Sequence, residues 1–228
     1  KRILSILLLC CMVLTLLPTT VLAADGPMDT IPKYDVSIDV YNRTSDISIK
    51  DSRSYYIYSS VPDKLRDTWA WDKKIFIKGD KTAPHVFIDG VNIEMSPSSK
   101  GPAIELNKKA SAYIYFIGKN SSLQGADGRA AIQKNRSEGQ LYVLARTGTT
   151  VTCKGGDKAA GIGGSYATRN ISNGYYNGDM YGHGVNMHFG SRSNPDYWGG
   201  TIAAIGGEGG AGIGGGQGGA GEKLYFYS

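Results

Sequence analysis

Two stretches decide the fold: Ala159-Ala160-Gly161-Ile162-Gly163-Gly164 and, further on, Gly210-Ala211-Gly212-Ile213-Gly214-Gly215-Gly216. Shorter copies precede them as Ala130-Ala131-Ile132 and Pro102-Ala103-Ile104. Each copy follows a strand-like run. Ile93 to Ile104, Val151 to Ile162 and Ile202 to Ile213 span 11 residues, and Leu123 to Ile132 spans 9. Self-similarity at a period of a few tens of residues marks a repeat architecture.

A further apolar run stands ahead of each pair: Val86-Phe87-Ile88, Tyr115-Phe116-Ile117, Tyr142-Val143-Leu144 and Met187-His188-Phe189. Phe87 to Phe116 is 29 residues, and Phe116 to Val143 is 27. The unit is therefore three short strands divided by Gly, Asp, Ser and Asn turns, with no helical periodicity between them. Such a unit predicts one coil of an all-β, right-handed parallel β-helix, with about four coils plus a truncated fifth. Each coil leans on its neighbours because none can bury its inward face alone. Phe87, Phe116, Val143 and Phe189 are expected in one column. Ile104, Ile132, Ile162 and Ile213 are expected in another.

Residues 1–23 read as a secretory signal peptide. Lys1 and Arg2 are its basic end, Ile3 to Leu17 its apolar stretch, and Val21-Leu22-Ala23 its cleavage site. The apolar stretch is short for a bilayer, so no membrane span is expected after cleavage. Removing Lys1 and Arg2 lowers the net charge from +5 to about +3. That is too mild for a nucleic-acid partner, and no basic block or binding motif supports one. Cys153 is then the remaining cysteine, so the stacked core replaces any disulfide.

Residues 24–46 form a polar lead-in, and the β-helix runs over 47–228. Ile47-Ser48-Ile49, Tyr55-Tyr56-Ile57-Tyr58 and Ile75-Phe76-Ile77 are assigned as the three strands of the first coil. Over-long spacings mark inserted loops at 59–74, 165–184 and 191–199. The first carries Trp69-Ala70-Trp71, a plug for the open end. Leu224-Tyr225-Phe226 falls where a next coil would start, so an unpaired edge is expected there.

The run Val86-Phe87-Ile88-Asp89-Gly90-Val91-Asn92-Ile93, then Gly101-Pro102-Ala103-Ile104, then the Ala-Gly-Ile-Gly-Gly phrases, resembles secreted bacterial β-helix proteins. These are right-handed parallel β-helices of carbohydrate-binding type, found on the surface of Firmicutes. The resemblance covers roughly Asp46 to Ser228. It implies a secreted or cell-surface module that binds polysaccharide or cell-wall glycan, pectate-lyase-like in architecture, with calcium bound in some members. It transfers no catalytic motif.

Functional residues concentrate on loops held by a rigid scaffold. The inserted loops gather Tyr166, Tyr175, Tyr176, Tyr181, Tyr197 and Trp198, whose flat rings and polar tips suit sugar faces. Tyr175, Tyr176, Tyr181, Tyr197 and Trp198 are the candidate carbohydrate-binding residues. The competing expectation is that these rings fold back onto the β-helix wall.

Gly210 to Gly215 matches G-x-G-x-x-G, but no helix follows and no acid lies about 20 residues on, so a dinucleotide site is excluded. His183 and His188 lack the further ligands a zinc site needs. Five residues before each corner isoleucine stand Ser99, Asp127, Asp157 and Glu208. Asp127, Asp157 and Glu208 are candidate calcium ligands if the register holds. Pairing with Arg129 and Lys158 is the simpler counterpart. A lyase would want an Arg or Lys base beside clustered carboxylates; Arg129, Arg136 and Arg146 have no such partners in the pattern. Three functions follow, in order: a non-catalytic polysaccharide-binding module, a structural stalk or adhesin repeat, and a polysaccharide lyase.

Overall fold

Alternation of apolar and polar residues sets the strands of this chain, because successive side chains of a strand point to opposite faces. The computed structural model describes residues 31–79, 81–96, 101–107, 109–135, 138–166 and 182–227. The leader at 1–23 lies outside these, as do Ser99, Arg136, Tyr175, Tyr176 and Tyr181.

Strands are numbered in chain order. The first wall contains β1 (Val36–Asp39), β3 (Ser54–Tyr58), β5 (His85–Asp89), β8 (Ala112–Ile117), β11 (Leu141–Lys154), β13 (Gly184–Phe189) and β16 (Gly221–Phe226), hydrogen-bonded in that order. The second wall contains β6 (Asn92–Glu94), β9 (Ser121–Gln124), the later half of β11, and β14 (Gly199–Ile205). The third contains β2 (Ile47–Ile49), β4 (Ile75–Ile77), β7 (Ile104–Leu106), β10 (Ile132–Gln133), β12 (Ile162–Gly163) and β15 (Ile213–Gly214), again in order. Every pairing between these strands is parallel. The protein is an all-β parallel β-helix. Among the described residues no helix is long and apolar enough to cross a membrane.

The corner column is as expected and longer. Ile104, Ile132, Ile162 and Ile213 are direct partners, and Ile75 and Ile47 extend the line. Ile47 to Ile162 in this column are all buried. Each fully buried side chain contributes about 1.5–3 kcal/mol by leaving water.

The aromatic column differs. Phe87 pairs with Tyr115, whereas Phe116 pairs with Ile88 and Ala145. The inward columns are Val36, Tyr55, Val86, Ile114, Val143, Phe189, Phe226 and Ile38, Ile57, Ile88, Phe116, Ala145. Phe87 is one residue out of the assumed register, and a one-residue slip moves a side chain to the other face. It packs outside the wall with Tyr56 and Ile117.

The coil count and the first coil also change. Among the described residues six third-wall strands are present where about four coils were expected, and β16 opens a further turn. β1 lies within the polar lead-in, so the solenoid begins before Ile47. Ile47–Ile49 closes one coil, and Ser54–Tyr58 opens the next. Trp71 is a member of that next coil rather than a plug. It bridges Ile93 in parallel, is buried, and donates its indole N–H to the Arg43 carbonyl at 2.8 Å. The inserted loop leaves a single bridging residue as that coil's middle strand, which hides the coil boundary from an apolar-run reading.

The 9- and 11-residue spacings are reconciled by register. Leu123, Cys153 and Ala204 are partners, each 9 residues before its corner isoleucine. Only the turn after Ile93 is longer.

Candidate functional site: a polar cleft beside an aromatic wall

Between the first and second walls the chain turns at Gly90 and Gly118, whose φ values are 62° and 65°. A Cβ on Gly118 would fall 2.4 Å from Asp89 Oδ1, so that side chain would have to shift, and the left-handed backbone there favours glycine. Past the turn, Ile93, Leu123 and Cys153 point inward and are buried. Alternation therefore turns Asn92, Ser122 and Thr152, which are register partners, to the outside. One polar side chain per coil forms a column at the strand spacing of about 4.7–4.9 Å.

The column is the floor of an open cleft of about 630 Å³. Its wall is the inserted loop 59–74, which carries a 3₁₀ turn, Asp63–Leu65. Asn92 Nδ2 donates to the Arg66 carbonyl at 2.9 Å. Arg66 in turn donates to the Gly90 carbonyl at 3.1 Å and the Val61 carbonyl at 3.3 Å. Lys119 Nζ reaches Asp63 Oδ1 at 2.9 Å, and Arg66 reaches the same oxygen at 3.4 Å. Hydrogen bonding from Lys119, then its charge, then Arg66 hold the Asp63 carboxyl below the usual carboxylate range. Asp63 is thus a fixed anion, unsuited to donating a proton.

The amides of the cleft also stitch coil to coil. Asn92 Oδ1 accepts from Ser122 N–H at 3.1 Å, and Asn120 Oδ1 accepts from Thr150 N–H at 2.8 Å. The hydroxyls of Ser122, Thr150 and Thr152 and the Asp67 carboxylate line the same space. Among the described residues, these four groups have no protein partner. A hydroxyl both donates and accepts, so these groups present a mixed hydrogen-bonding surface to whatever enters.

Beside the cleft the first wall carries a row of rings. His85, Tyr113, Tyr142, His188 and Tyr225 stack with successive centroids 4.7, 4.5, 4.4 and 4.6 Å apart and planes 5°, 9°, 17° and 12° from parallel. The inner rings thereby have both faces covered by neighbours. Tyr115 accepts or donates at His85 Nδ1 at 3.0 Å, and burial pushes its phenol up to about 12. This row strengthens the wall and leaves no free ring face along its middle.

Of the sequence-predicted aromatic site, Tyr197 and Trp198 fall within the described residues. Trp198 lies over Tyr115, centroids 5.1 Å apart and tilted 39°, and Tyr197 meets it edge-on at 4.7 Å. Trp198 also packs against the cluster of Tyr56, Phe87 and Ile117, and Ile117 directly precedes Gly118 of the cleft. One face of the indole is therefore given to the first wall, and neither ring is among the residues that line the cleft. Tyr175, Tyr176 and Tyr181 lie outside the described residues.

Asp127, Asp157 and Glu208 do occupy equivalent turns, since the pairs on both sides of them are in register. Lys158 Nζ lies 3.7 Å from Asp157 Oδ2. Among the described residues no three His, Cys, Asp or Glu side chains gather closely enough to hold a metal ion. His183 Nδ1 accepts from Ala220 N–H at 3.3 Å, whereas His188 Nδ1 faces the Tyr227 hydroxyl at 2.8 Å.

The sequence reading missed the cleft because it followed apolar residues. Asn92, Ser122 and Thr152 each stand one place before an inward residue, and aligning Ile93, Leu123 and Cys153 would have aligned them too. The cover from loop 59–74 has no comparable periodic signal. Comparison with family models, with curated proteins and with solved structures finds no match, so the reading of this site rests on its geometry.

Proposed function

We propose that this chain is a secreted or cell-surface β-helix module that binds polysaccharide without catalysis. The observation that carries the reading is the cleft floor, where Ser122, Thr150 and Thr152 offer hydroxyls that no protein group engages among the described residues. Buried scaffold residues hold Ser122 and Thr152 at one position on successive coils, with Thr150 beside Thr152 on its strand, so ordering them costs little on binding. Tyr197 and Trp198 on the first wall add amphipathic ring surface of the kind that suits a sugar. The non-catalytic part rests on Lys119 and Arg66: both are tied to Asp63, which leaves neither placed as a free base.

The stalk or adhesin reading draws support from one feature, the ring row His85 to Tyr225, whose stacking serves rigidity. Affinity electrophoresis of the full chain against plant and host polysaccharides separates the two. Retardation by at least one polymer, weakened by Ser122→Ala, Thr152→Ala or Trp198→Ala, is the expected result. Free migration through every polymer would sink the binding reading and leave the stalk.

A further inference from the structure

We infer that the ligand of this cleft is an uncharged glycan lying along the solenoid axis across Ser122 and Thr152. The inference rests on the polysaccharide reading and narrows it to a substrate class. Four charged side chains line the cleft: Asp63, Asp67, Arg66 and Lys119. The two cations are engaged. Lys119 holds Asp63 at 2.9 Å, and Arg66 is divided between Asp63 and the carbonyls of Gly90 and Val61.

The Arg66 side chain is only 17% exposed, so a ligand carboxylate would have to break these contacts to reach it. The charge left without a partner among the described residues is the Asp67 anion. The Lys119–Asp63 pair is exposed and therefore weak, so a polyuronate could take Lys119. Doing so would strip the Asp63 anion of its nearest cation beside Asp67, and like charges so placed reject the partner. Neutral sugars bring hydroxyl donors instead, which a carboxylate accepts strongly. The hydroxyl floor is equally suited, because Ser and Thr meet sugar hydroxyls as both donor and acceptor.

Direction follows from register. Asn92, Ser122 and Thr152 succeed one another along the axis; loop 59–74 engages the Asn92 amide, so an extended chain laid across the coils abuts that loop and meets Ser122 and then Thr152. The next partner of Thr152 in register is Ala203, which offers no side-chain hydrogen bond, whereas Thr150 is followed by the exposed Thr201, so the floor narrows to one hydroxyl on the next coil. Asn92 to Thr152 is two strand spacings, or about 10 Å.

Affinity electrophoresis of the full chain, repeated at low and high salt, tests the inference. The polymers are neutral galactomannan, xyloglucan and mixed-linkage glucan on one side, and polygalacturonate and alginate on the other. Expected is retardation by a neutral polymer that salt barely changes, with none by the polyuronates. Asp67→Asn should weaken the neutral interaction roughly tenfold, the loss of a charge-assisted bond. Asp67→Lys should admit polygalacturonate, and Ala203→Thr should tighten neutral binding by lengthening the floor. Salt-sensitive retardation of the unmodified chain by a polyuronate overturns this inference while the polysaccharide reading stands. Neutral binding indifferent to Asp67→Asn, Thr152→Ala and Ala203→Thr overturns the cleft as its place. Retardation by no polymer overturns both.

Discussion

Tyr142 and His188 hold the same outward position on neighbouring coils and lie ring on ring, centroids 4.4 Å apart. Tyr225 covers the other face of the imidazole at 4.6 Å, and Tyr227 meets its Nδ1 at 2.8 Å. Arg192 stands over the Tyr227 ring at 4.9 Å, bringing a cation to the edge of the stack. His188 is 8% exposed, and its Nε2 is buried with no hydrogen-bond partner.

Nε2 has no partner to share a positive charge, and burial of the ring disfavours its charged form, lowering the His188 pKa below 6.5. A histidine depressed in the folded state binds fewer protons than in the unfolded chain. Stability is then full above the unfolded value and falls as pH drops below about 6.5. His85 is shifted the same way by burial and adds to the trend. The melting temperature should fall between about pH 7.5 and 5, and His188→Phe, which keeps a flat ring, should shallow that fall. An acid limb identical in His188→Phe would show that His188 does not control it.

Phe116 tests the corrected register. It is fully buried between Ile88 and Ala145, whereas Phe87 packs on the outside of the wall. Phe116→Ala should cost about 3–5 kcal/mol in denaturant unfolding, the range for a buried aromatic ring. Phe87→Ala should cost clearly less, because its neighbours Tyr115 and Trp198 can settle into the space. Equal losses would restore the single phenylalanine column.

How far the fold was legible follows from these two positions. The isoleucine corners repeat beside small residues, and much of the six-strand third wall could be traced from them. The first wall could be placed but not registered, since Val86-Phe87-Ile88 is apolar on both faces and alternation cannot tell inside from outside. The cleft was the least visible part. Its floor needs the register, and its wall needs loop 59–74 folded over Asn92, a contact between Arg66 and Asn92 that no local pattern announces.

Glycines give a sharper test of the corner packing. A Cβ on Gly156 would sit 2.0 Å from the Ala126 carbonyl oxygen, backbone of the previous coil. Backbone cannot rotate away as a side chain can, so Gly156→Ala should destabilise by at least ~3 kcal/mol, the upper range of overpacking. Gly148 has φ +83°, but a methyl added there would meet nothing within 4 Å. Gly148→Ala should therefore cost only the left-handed penalty of about 1–2 kcal/mol. Comparing the two melting temperatures separates crowding between coils from backbone preference, and a larger loss at Gly148 would contradict the close stacking.

Asp157 stands between Asp127 and Glu208 in the stacked turns, and like charges placed opposite one another are destabilising. The following position is Gly128, Lys158 and Gly209 in the three coils, with φ of 72°, 62° and 79°. Lysine therefore holds a left-handed backbone that glycine holds elsewhere, at a cost of roughly 1–2 kcal/mol. In return its ammonium lies 3.7 Å from Asp157 and 5.2 Å above the Tyr166 ring. Lys158 is the local counter-charge for the acidic turn. Both partners of this pair are substantially exposed, so its strength is about 0–1 kcal/mol and falls with salt. Lys158→Met should lower the melting temperature slightly at low salt, with the difference vanishing at high salt. Millimolar calcium should leave the unmodified chain's melting curve in place, because an ion that bound only the folded state would raise it by mass action. A rise with calcium that Asp157→Asn abolishes would instead assign the acidic turn to a cation.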